Sequence, residues 1–107
     1  MQYTKQEIQN DHSKKNDLII FIKDNLTFRD YLIFNKIVEL IQSKQYTNIC
    51  IDMEDCTFVD SAGLGMFVIA QDEAQKSKTN ITLKNLNKSV KDLFCTARFD
   101  TLYNIED

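Results

Sequence analysis

The stretch of this 107-residue chain with the clearest capacity for chemistry is CTFVDSAGLGMFVIA, from Cys56 to Ala70. A carboxylate, a hydroxyl and the chain's only two glycines lie between Asp60 and Gly65, directly before the apolar run MFVIA. A serine at the start of a helix lies beside free backbone N–H groups and the positive end of the helix dipole. Its hydroxyl could serve as a nucleophile, as a phosphate acceptor or simply as a helix cap.

Enzymatic interpretations of this stretch lack the partner groups that they need. A nucleophile elbow requires Gly-x-Ser-x-Gly and a base, but Val59 replaces the first glycine and His12 is the single histidine. Asp52 and Asp55 could suggest an aspartyl phosphoacceptor with a bound cation, but the first strand region offers no clear acidic pair. No lysine follows the glycines as in a phosphate-binding loop. We therefore expect no catalytic residues and no enzymatic activity.

Charge and hydropathy argue against several classes of partner. The formal net charge of −3 and the pI of about 5.1 do not fit the clustered Lys and Arg that bind nucleic acid. No apolar run approaches the about 20 residues that cross a bilayer, and no signal-peptide pattern opens the chain, so we expect a cytoplasmic protein without a membrane partner. The three cysteines form no CxxC pair, which predicts reduced, mostly buried thiols without a metal or cofactor.

Apolar periodicity along the chain predicts alternating strands and helices. The run LIIFI, residues 18–22, is too short for a typical helix and predicts a central strand buried on both faces. A second helix is expected from Ser61 to about Ser77, on strong helix formers. Thr27 can cap a first helix, in which apolar residues recur at helical spacing: Tyr31, Phe34, Ile37, Val38 and Ile41.

Strands are also predicted for NICIDM (48–53), NITLKNL (80–86) and TLYNI (101–105), and residues 1–17 predict an edge strand followed by a turn. Asn87 or Ser89 can cap a third helix, whose apolar stripe is Val90, Leu93, Phe94 and Ala97. This order implies right-handed crossovers in one α/β domain that spans residues 1–107. We predict a mostly parallel mixed sheet of roughly four to five strands, covered by about three or four helices.

The two glycines beside Ser61 need a reason, because glycine destabilises a helix interior by about 1 kcal/mol relative to alanine. Asp60 or Ser61 could merely cap the helix. Together with Ala62, Gly63 and Gly65 remove side-chain bulk, which would let either a partner or a neighbouring helix approach closely. The run MFVIA makes the helix apolar on nearly all sides, so its remainder either packs under another helix or forms a docking patch.

The motif FVDSAGLG, residues 58–65, resembles the signature of STAS domains, the family of bacterial anti-sigma factor antagonists. The segments NLTFRDYLIF, NICIDMEDCTF and SVKDLFCTARFDTLYNI are also similar to the family, so the resemblance runs from about Leu18 to Ile105. Two family glycines are absent. The turn before the first helix is KDN, so Asp24 or Asn25 must supply it, and the glycine before the fourth strand is replaced within KSKTN.

The resemblance implies that Ser61 is a phosphoacceptor in a bacterial partner-switching pathway that regulates transcription. A partner serine kinase, often the anti-sigma factor itself, would phosphorylate Ser61, and a PP2C-type phosphatase would restore it. The unphosphorylated form would bind and sequester the anti-sigma factor. In similar single-domain members the output also includes second-messenger enzymes. The expected partner-binding residues are Asp60, Ala62, Gly63, Leu64, Gly65 and Met66, with a supporting acidic loop of Asp52, Glu54 and Asp55.

Two rival functions stay open from the sequence. The chain could be a constitutive STAS subunit of a transport or scaffold complex, in which the same helix is a permanent interface without phosphorylation. It could also be a module that binds a small ligand or a nucleotide.

Overall fold

Helices and strands follow the predicted order in a computed structural model that describes residues 1–9 and 15–106. His12 and part of the turn predicted before residue 18 lie outside the described residues. The elements are β1 (Gln2–Ile8), β2 (Asn16–Lys23), a short 3₁₀ helix (Phe28–Asp30), α1 (Tyr31–Gln42), β3 (Tyr46–Asp55), α2 (Ser61–Ser77), β4 (Asn80–Lys84), α3 (Lys88–Thr96) and β5 (Asn104–Glu106).

The five strands form one mixed sheet in the order β1-β2-β3-β4-β5. β1 runs antiparallel to β2, and the other three neighbouring pairs are parallel. The predicted N-terminal edge strand and the mostly parallel sheet are therefore confirmed. A cross-strand contact supports the edge, because the Tyr46 hydroxyl donates to Glu7 Oε1 at 2.5 Å. That hydrogen bond, together with burial, raises the pKa of Tyr46 to about 12.

The helices cover one face of the sheet. Each crossover moves one place in the same direction, so right-handed connections put α1, α2 and α3 on the same side. Burial in β2 accordingly alternates, with Leu18, Ile20 and Ile22 buried and Ile19 and Phe21 only half-buried. The prediction that this strand is central and buried on both faces was wrong, because β2 lies second from the edge and no helix covers its other face.

Phe67 of α2 is the centre of the core between the helices and the sheet. Its ring makes edge-on contacts with Phe34 of α1 at 5.2 Å, with Phe94 of α3 at 5.3 Å and with Tyr103 at 6.0 Å between centroids. The Tyr103 hydroxyl also donates to the carbonyl oxygen of Phe67. These contacts fix α2 against both neighbouring helices and the C-terminal segment.

Several predicted boundaries differ from the structure. The third strand covers Tyr46–Asp55 instead of residues 48–53, and the fourth ends at Lys84 instead of residue 86. Ala97, assigned to the apolar stripe of the third helix, is exposed just after α3 ends.

The structure also decides the caps and the last strand. Thr27 caps the 3₁₀ helix rather than α1, and Asn87, not Ser89, caps α3 by accepting from the N–H of Val90 at 2.8 Å. The last strand covers Asn104–Glu106 instead of residues 101–105. Residues 101–103 form a turn, because the ring of Tyr103 packs in the core on Phe67 and leaves the line of the strand.

Every left-handed backbone position in the described residues is occupied by a residue other than glycine. These residues are Asp24, Lys44, Lys78, Asn85 and Arg98, with φ between 56° and 65°, and no glycine has positive φ. Asp24 is thus the residue that supplies the turn before the first helix, one of the two predicted candidates. Because the glycines are not used in turns, their place in α2 has another cause.

Replacing Lys44 by glycine should stabilise the protein. Lys44 follows the last turn of α1 with φ 59°, where a residue with a Cβ is strained. We expect Lys44→Gly to raise the free energy of unfolding by about 0.5–1 kcal/mol, measured by urea denaturation. Lys36→Gly, in the exposed middle of α1, is the matched control and should lower it by about 1 kcal/mol. A Lys44→Gly protein less stable than the parent would contradict this account.

Candidate functional site

Asp60, and not Ser61, caps helix α2. The backbone of Asp60 is extended, and its Oδ1 accepts from the N–H of Gly63 at 2.8 Å. Ser61 is therefore the first residue of the helix. Its side chain is exposed, and its hydroxyl makes no hydrogen bond with any residue in 1–9 or 15–106. The fold does not use this hydroxyl, so it is available to another molecule.

Two loops come together beneath Ser61, one after β2 and one after β3. The N–H of Asp24 donates to the carbonyl of Asp55 at 3.1 Å, and the N–H of Leu26 donates to that of Phe58 at 2.9 Å. The N–H of Asp60 in turn donates to the carbonyl of Leu26 at 3.1 Å. These bonds continue the parallel β2–β3 pairing beyond the strands, so Ser61 lies on an ordered platform.

Gly63 is required for packing. It is buried, and a Cβ at this position would lie 2.7 Å from Val59 Cγ1 and 3.0 Å from the carbonyl oxygen of Leu26. The backbone of the first turn of α2 therefore lies directly against the two joined loops. The expectation that Gly63 admits a partner is corrected, because its missing side chain makes room for Val59 and Leu26.

Gly65 has no such neighbours. It is exposed, its φ is not positive, and a Cβ built there meets no heavy atom within 4 Å. Ala62 is exposed as well, whereas Leu64 is half-buried against the core. Met66 is 8% exposed, so the expectation that it supplies contact area to a partner is also corrected. Of the two glycines, Gly65 is the one that leaves open space at the surface of the first turns.

The acidic loop is tied to neighbouring loops. Asp52 Oδ1 accepts from the N–H of Glu54 at 3.0 Å, and its Oδ2 accepts from Asn85 Nδ2 at 3.0 Å. The side chains of Glu54 and Asp55 are exposed. Within the described ranges, no three His, Cys, Asp or Glu side chains are grouped so that they could hold a metal ion. These carboxylates contribute negative charge at this end of the sheet.

The cysteines differ in environment. Cys56 is fully buried and Cys50 is half-buried, and burial raises the pKa of both thiols. Cys95 is exposed, contrary to the expectation of mostly buried thiols. Burial keeps the Cys56 thiol protonated at neutral pH, so its role beside the platform is packing.

Large apolar side chains are exposed on both sides of Ser61 in the sequence. The run MFVIA is divided, since Met66, Phe67 and Ala70 are buried while Val68 and Ile69 face outwards. Among the described residues, six of the seven exposed large apolar side chains belong to the 3₁₀ helix, the start of α1, the loop before α2 and α2 itself. We call this group the apolar surface: Phe28, Tyr31, Leu32, Phe58, Val68 and Ile69.

Sequence reasoning missed most of the apolar surface. Phe28 and Leu32 are 65% and 75% exposed, and neither was expected to contact a partner. Tyr31 was assigned to the buried stripe of the first helix but is exposed. The available signal was the apolar density of the segment FRDYLIF, which exceeds what one helix face needs.

An apolar pocket adjoins the apolar surface at Phe58. Its volume is about 310 Å³, and it is lined by Phe58, Val59, Ser89, Val90 and Leu93. The loop before α2 is linked to α3 here, because Asn87 Nδ2 donates to the carbonyl of Thr57 at 3.5 Å. The pocket is large enough to accept a side chain from a partner.

Comparison with known proteins places this chain in a family. The family model described as the STAS domain matches residues 7–107. A STAS-domain containing protein of Pseudomonas aeruginosa strain UCBPP-PA14 is 29% identical over 55 residues, which are 51% of this chain and 54% of that protein. The chain thus spans about half the length of the curated relative it matches.

Solved structures share the fold at low sequence identity. A candidate anti-sigma factor antagonist from Thermotoga maritima has a TM-score of 0.79 at 19% identity, covering 95% of this chain and 85% of that one. The anti-sigma factor antagonist SpoIIAA in its unphosphorylated form has a TM-score of 0.69 at 20% identity, covering 97% and 88%. Phosphorylated SpoIIAA of Bacillus has a TM-score of 0.68 at 18% identity, covering 97% of this chain and 92% of that one.

A transporter family protein shares the fold too. A sulfate transporter family protein from Wolinella succinogenes has a TM-score of 0.71 at 13% identity, covering 81% of this chain and 73% of that one. In the part of the present chain that the structure describes, no helix combines the length and apolar character needed to cross a bilayer.

The two glycines of α2 should respond oppositely to alanine. Gly63→Ala forces a Cβ against the side chain of Val59 and the carbonyl oxygen of Leu26, and it should lower the free energy of unfolding by about 1–3 kcal/mol. Gly65→Ala meets nothing and should raise it by up to about 1 kcal/mol. Urea denaturation of both variants, each the control for the other, tests this assignment. Equal destabilisation of the two would contradict it.

Proposed function

We propose, since the chain belongs to the STAS domain family, that it is a phosphorylation-switched anti-sigma factor antagonist. With Ser61 unmodified it binds and sequesters a partner regulator, which is an anti-sigma factor with serine-kinase activity or a related signalling protein. Phosphorylation of Ser61 releases that partner. The protein itself catalyses no reaction and acts in the cytoplasm.

One observation carries this proposal: the free hydroxyl of Ser61 lies in a segment whose surroundings hold most of the exposed apolar side chains. Asp60 caps α2, so the hydroxyl of Ser61 is not needed to cap the helix. Clustered exposed apolar side chains are typical of protein interfaces, and here the segments that carry Phe28 and Phe58 are joined by hydrogen bonds between their loops. SpoIIAA, which shares the fold, is itself known in phosphorylated and unphosphorylated forms.

A phosphate on Ser61 would act by local electrostatics. It adds about −1.5 to −2 charges at neutral pH, next to the carboxylate of Asp60. In the free protein this charge stays in water and is favoured by the N-terminus of α2. In a complex, a partner surface matched to apolar side chains and a neutral hydroxyl would have to desolvate an unpaired dianion. The fold therefore tolerates the modification, whereas the interface does not.

Three kinds of partner follow from this cycle. A serine kinase transfers phosphate to Ser61 and is in this family often the sequestered protein itself. A PP2C-type phosphatase removes the phosphate and resets the switch. A second-messenger enzyme is a further candidate output. The exposed Ala62 and Gly65 allow the backbone of these proteins to approach the hydroxyl.

A constitutive STAS subunit of a transport or scaffold complex is the alternative. The transporter protein with the same fold is the reason to keep it. In that function the apolar surface would be covered permanently, and modification of Ser61 would play no part. A nucleotide-binding module is a weaker alternative, which thermal-shift measurements with nucleotides would detect.

Phosphorylation of Ser61 should weaken partner binding by two to three decades. A phosphate about 4 Å from a carboxylate of the partner, at an effective dielectric of about 20, is repelled by roughly 4 kcal/mol. Because each tenfold change in affinity corresponds to about 1.4 kcal/mol, this repulsion gives that range. The partner would be recovered from the source organism with unmodified protein, and its affinity measured by calorimetry for the unmodified, phosphorylated and Ser61→Ala forms.

The control is Ser43→Ala, which alters an exposed serine at the C-terminal end of α1 and should change neither phosphorylation nor affinity. Mass spectrometry of the protein from the source organism should find phosphate on Ser61. Equal affinity of the unmodified and phosphorylated forms would reject the switch in favour of the constitutive subunit.

A further inference from the structure

We propose that Asp60 is a positioning residue, whose second carboxylate oxygen holds Phe28 in place as part of the surface that contacts the partner. This inference rests on the proposed function, since it concerns the same partner. It assigns to Asp60 a task beyond capping α2, and it makes the 3₁₀ helix Phe28–Asp30 part of the binding site.

The carboxylate of Asp60 is shared between two segments that are remote in sequence. Its Oδ1 accepts from the N–H of Gly63 within the first turn of α2 at 2.8 Å. Its Oδ2 accepts from the N–H of Phe28 at 3.1 Å, across 32 positions of the chain. One side chain therefore sets the start of the helix that carries Ser61 and the start of the 3₁₀ helix.

Capping alone does not require this second hydrogen bond. Asn87 caps α3 with a single amide oxygen, which accepts from the N–H of Val90 at 2.8 Å. An asparagine or serine at position 60 would satisfy Gly63 equally well. A carboxylate has two oxygens that accept, so aspartate, unlike asparagine or serine, can offer a separate oxygen to each N–H group.

Asp60 Oδ2 holds the start of the 3₁₀ helix, where the side chain of Phe28 is exposed. The ring of Phe28 is 65% exposed, with the guanidinium of Arg29 5.6 Å from its centroid. Asp30 is buried and closes a capping box with Thr27, so the rear of the 3₁₀ helix is fixed independently. The front, at Phe28, is tied to the Ser61 helix through Asp60.

Phe28 and Ser61 are thereby held in one arrangement. Exposed aromatic rings that are ordered before binding lose little freedom when a partner covers them, and such residues often dominate the affinity of an interface. The bond from Asp60 is to the backbone N–H of Phe28, so without it the backbone that carries the ring would have to be ordered by the partner itself. Asp60 thus contributes to affinity through Phe28.

Asp60→Asn separates the two tasks. The amide oxygen keeps the cap on Gly63, while the NH₂ group that replaces Oδ2 cannot accept from Phe28. Hydrogen exchange followed by NMR should show the Phe28 amide exchanging at least tenfold faster, with Gly63 unchanged. Thr57→Val is the matched control, because it removes a different link between the same loops, the 3.0 Å bond to Asn25, and should leave Phe28 protected.

Partner affinity in a double-mutant cycle tests the functional half. Asp60→Asn and Phe28→Ala should each weaken binding of the partner recovered above by about tenfold or more, and the double variant should be no weaker than Phe28→Ala alone. Additive losses, or an unchanged exchange rate at Phe28, would overturn the inference. If the cycle is non-additive but the phosphorylated and unmodified proteins bind the partner equally well, the inference is supported and the switch is rejected.

Discussion

The close approach of helix α2 to the two loops beneath it is the constraint on which the site depends. At Gly63 the helix backbone lies where a Cβ would be 2.7 Å from Val59 and 3.0 Å from the carbonyl of Leu26. Any larger residue would push the first turn outwards. The two hydrogen bonds of the Asp60 carboxylate could then not both keep their lengths, since one side chain cannot follow two donors that move apart. A glycine at one position thus sets the geometry of the whole end of the sheet.

Helix α2 divides its side chains between two surfaces, although its sequence is apolar on nearly all sides. Phe67 anchors the buried side through ring contacts with α1, α3 and the C-terminal segment. Val68 and Ile69 remain outside, because the single covered face of the sheet cannot take up every apolar residue of a 17-residue helix. Their exposure is a consequence of the topology, and it places apolar area along the helix that begins at Ser61.

The distribution of glycine shows where the chain accepts strain. Five described turns and helix ends hold left-handed backbone with Asp, Asn, Lys or Arg, which costs about 1–2 kcal/mol at each residue with an unfavourable side chain. Both glycines lie instead in α2, where helix propensity disfavours them. One is needed for packing and the other leaves open space beside the hydroxyl. Optimised stability would keep Gly63 and replace Gly65, so the presence of Gly65 is consistent with a site shaped for binding.

The sequence by itself determined the order of strands and helices, the N-terminal edge strand and the position of Ser61 at the start of α2. The spacing of apolar residues and the capping residues can be recognised within a short segment, so they predict helices and strands without knowledge of the fold. It left open whether Asp60 or Ser61 is the cap, because both residue types suit that position.

Only the tertiary structure decided the roles of Gly63, Gly65 and Met66, the exposure of Phe28 and the single covered face of the sheet. Each of these depends on which segments meet across long stretches of chain, as Phe28 and Asp60 do over 32 positions. Side-chain type tells what a residue can contact, but the three-dimensional arrangement decides what lies within reach, and neither composition nor spacing contains that information.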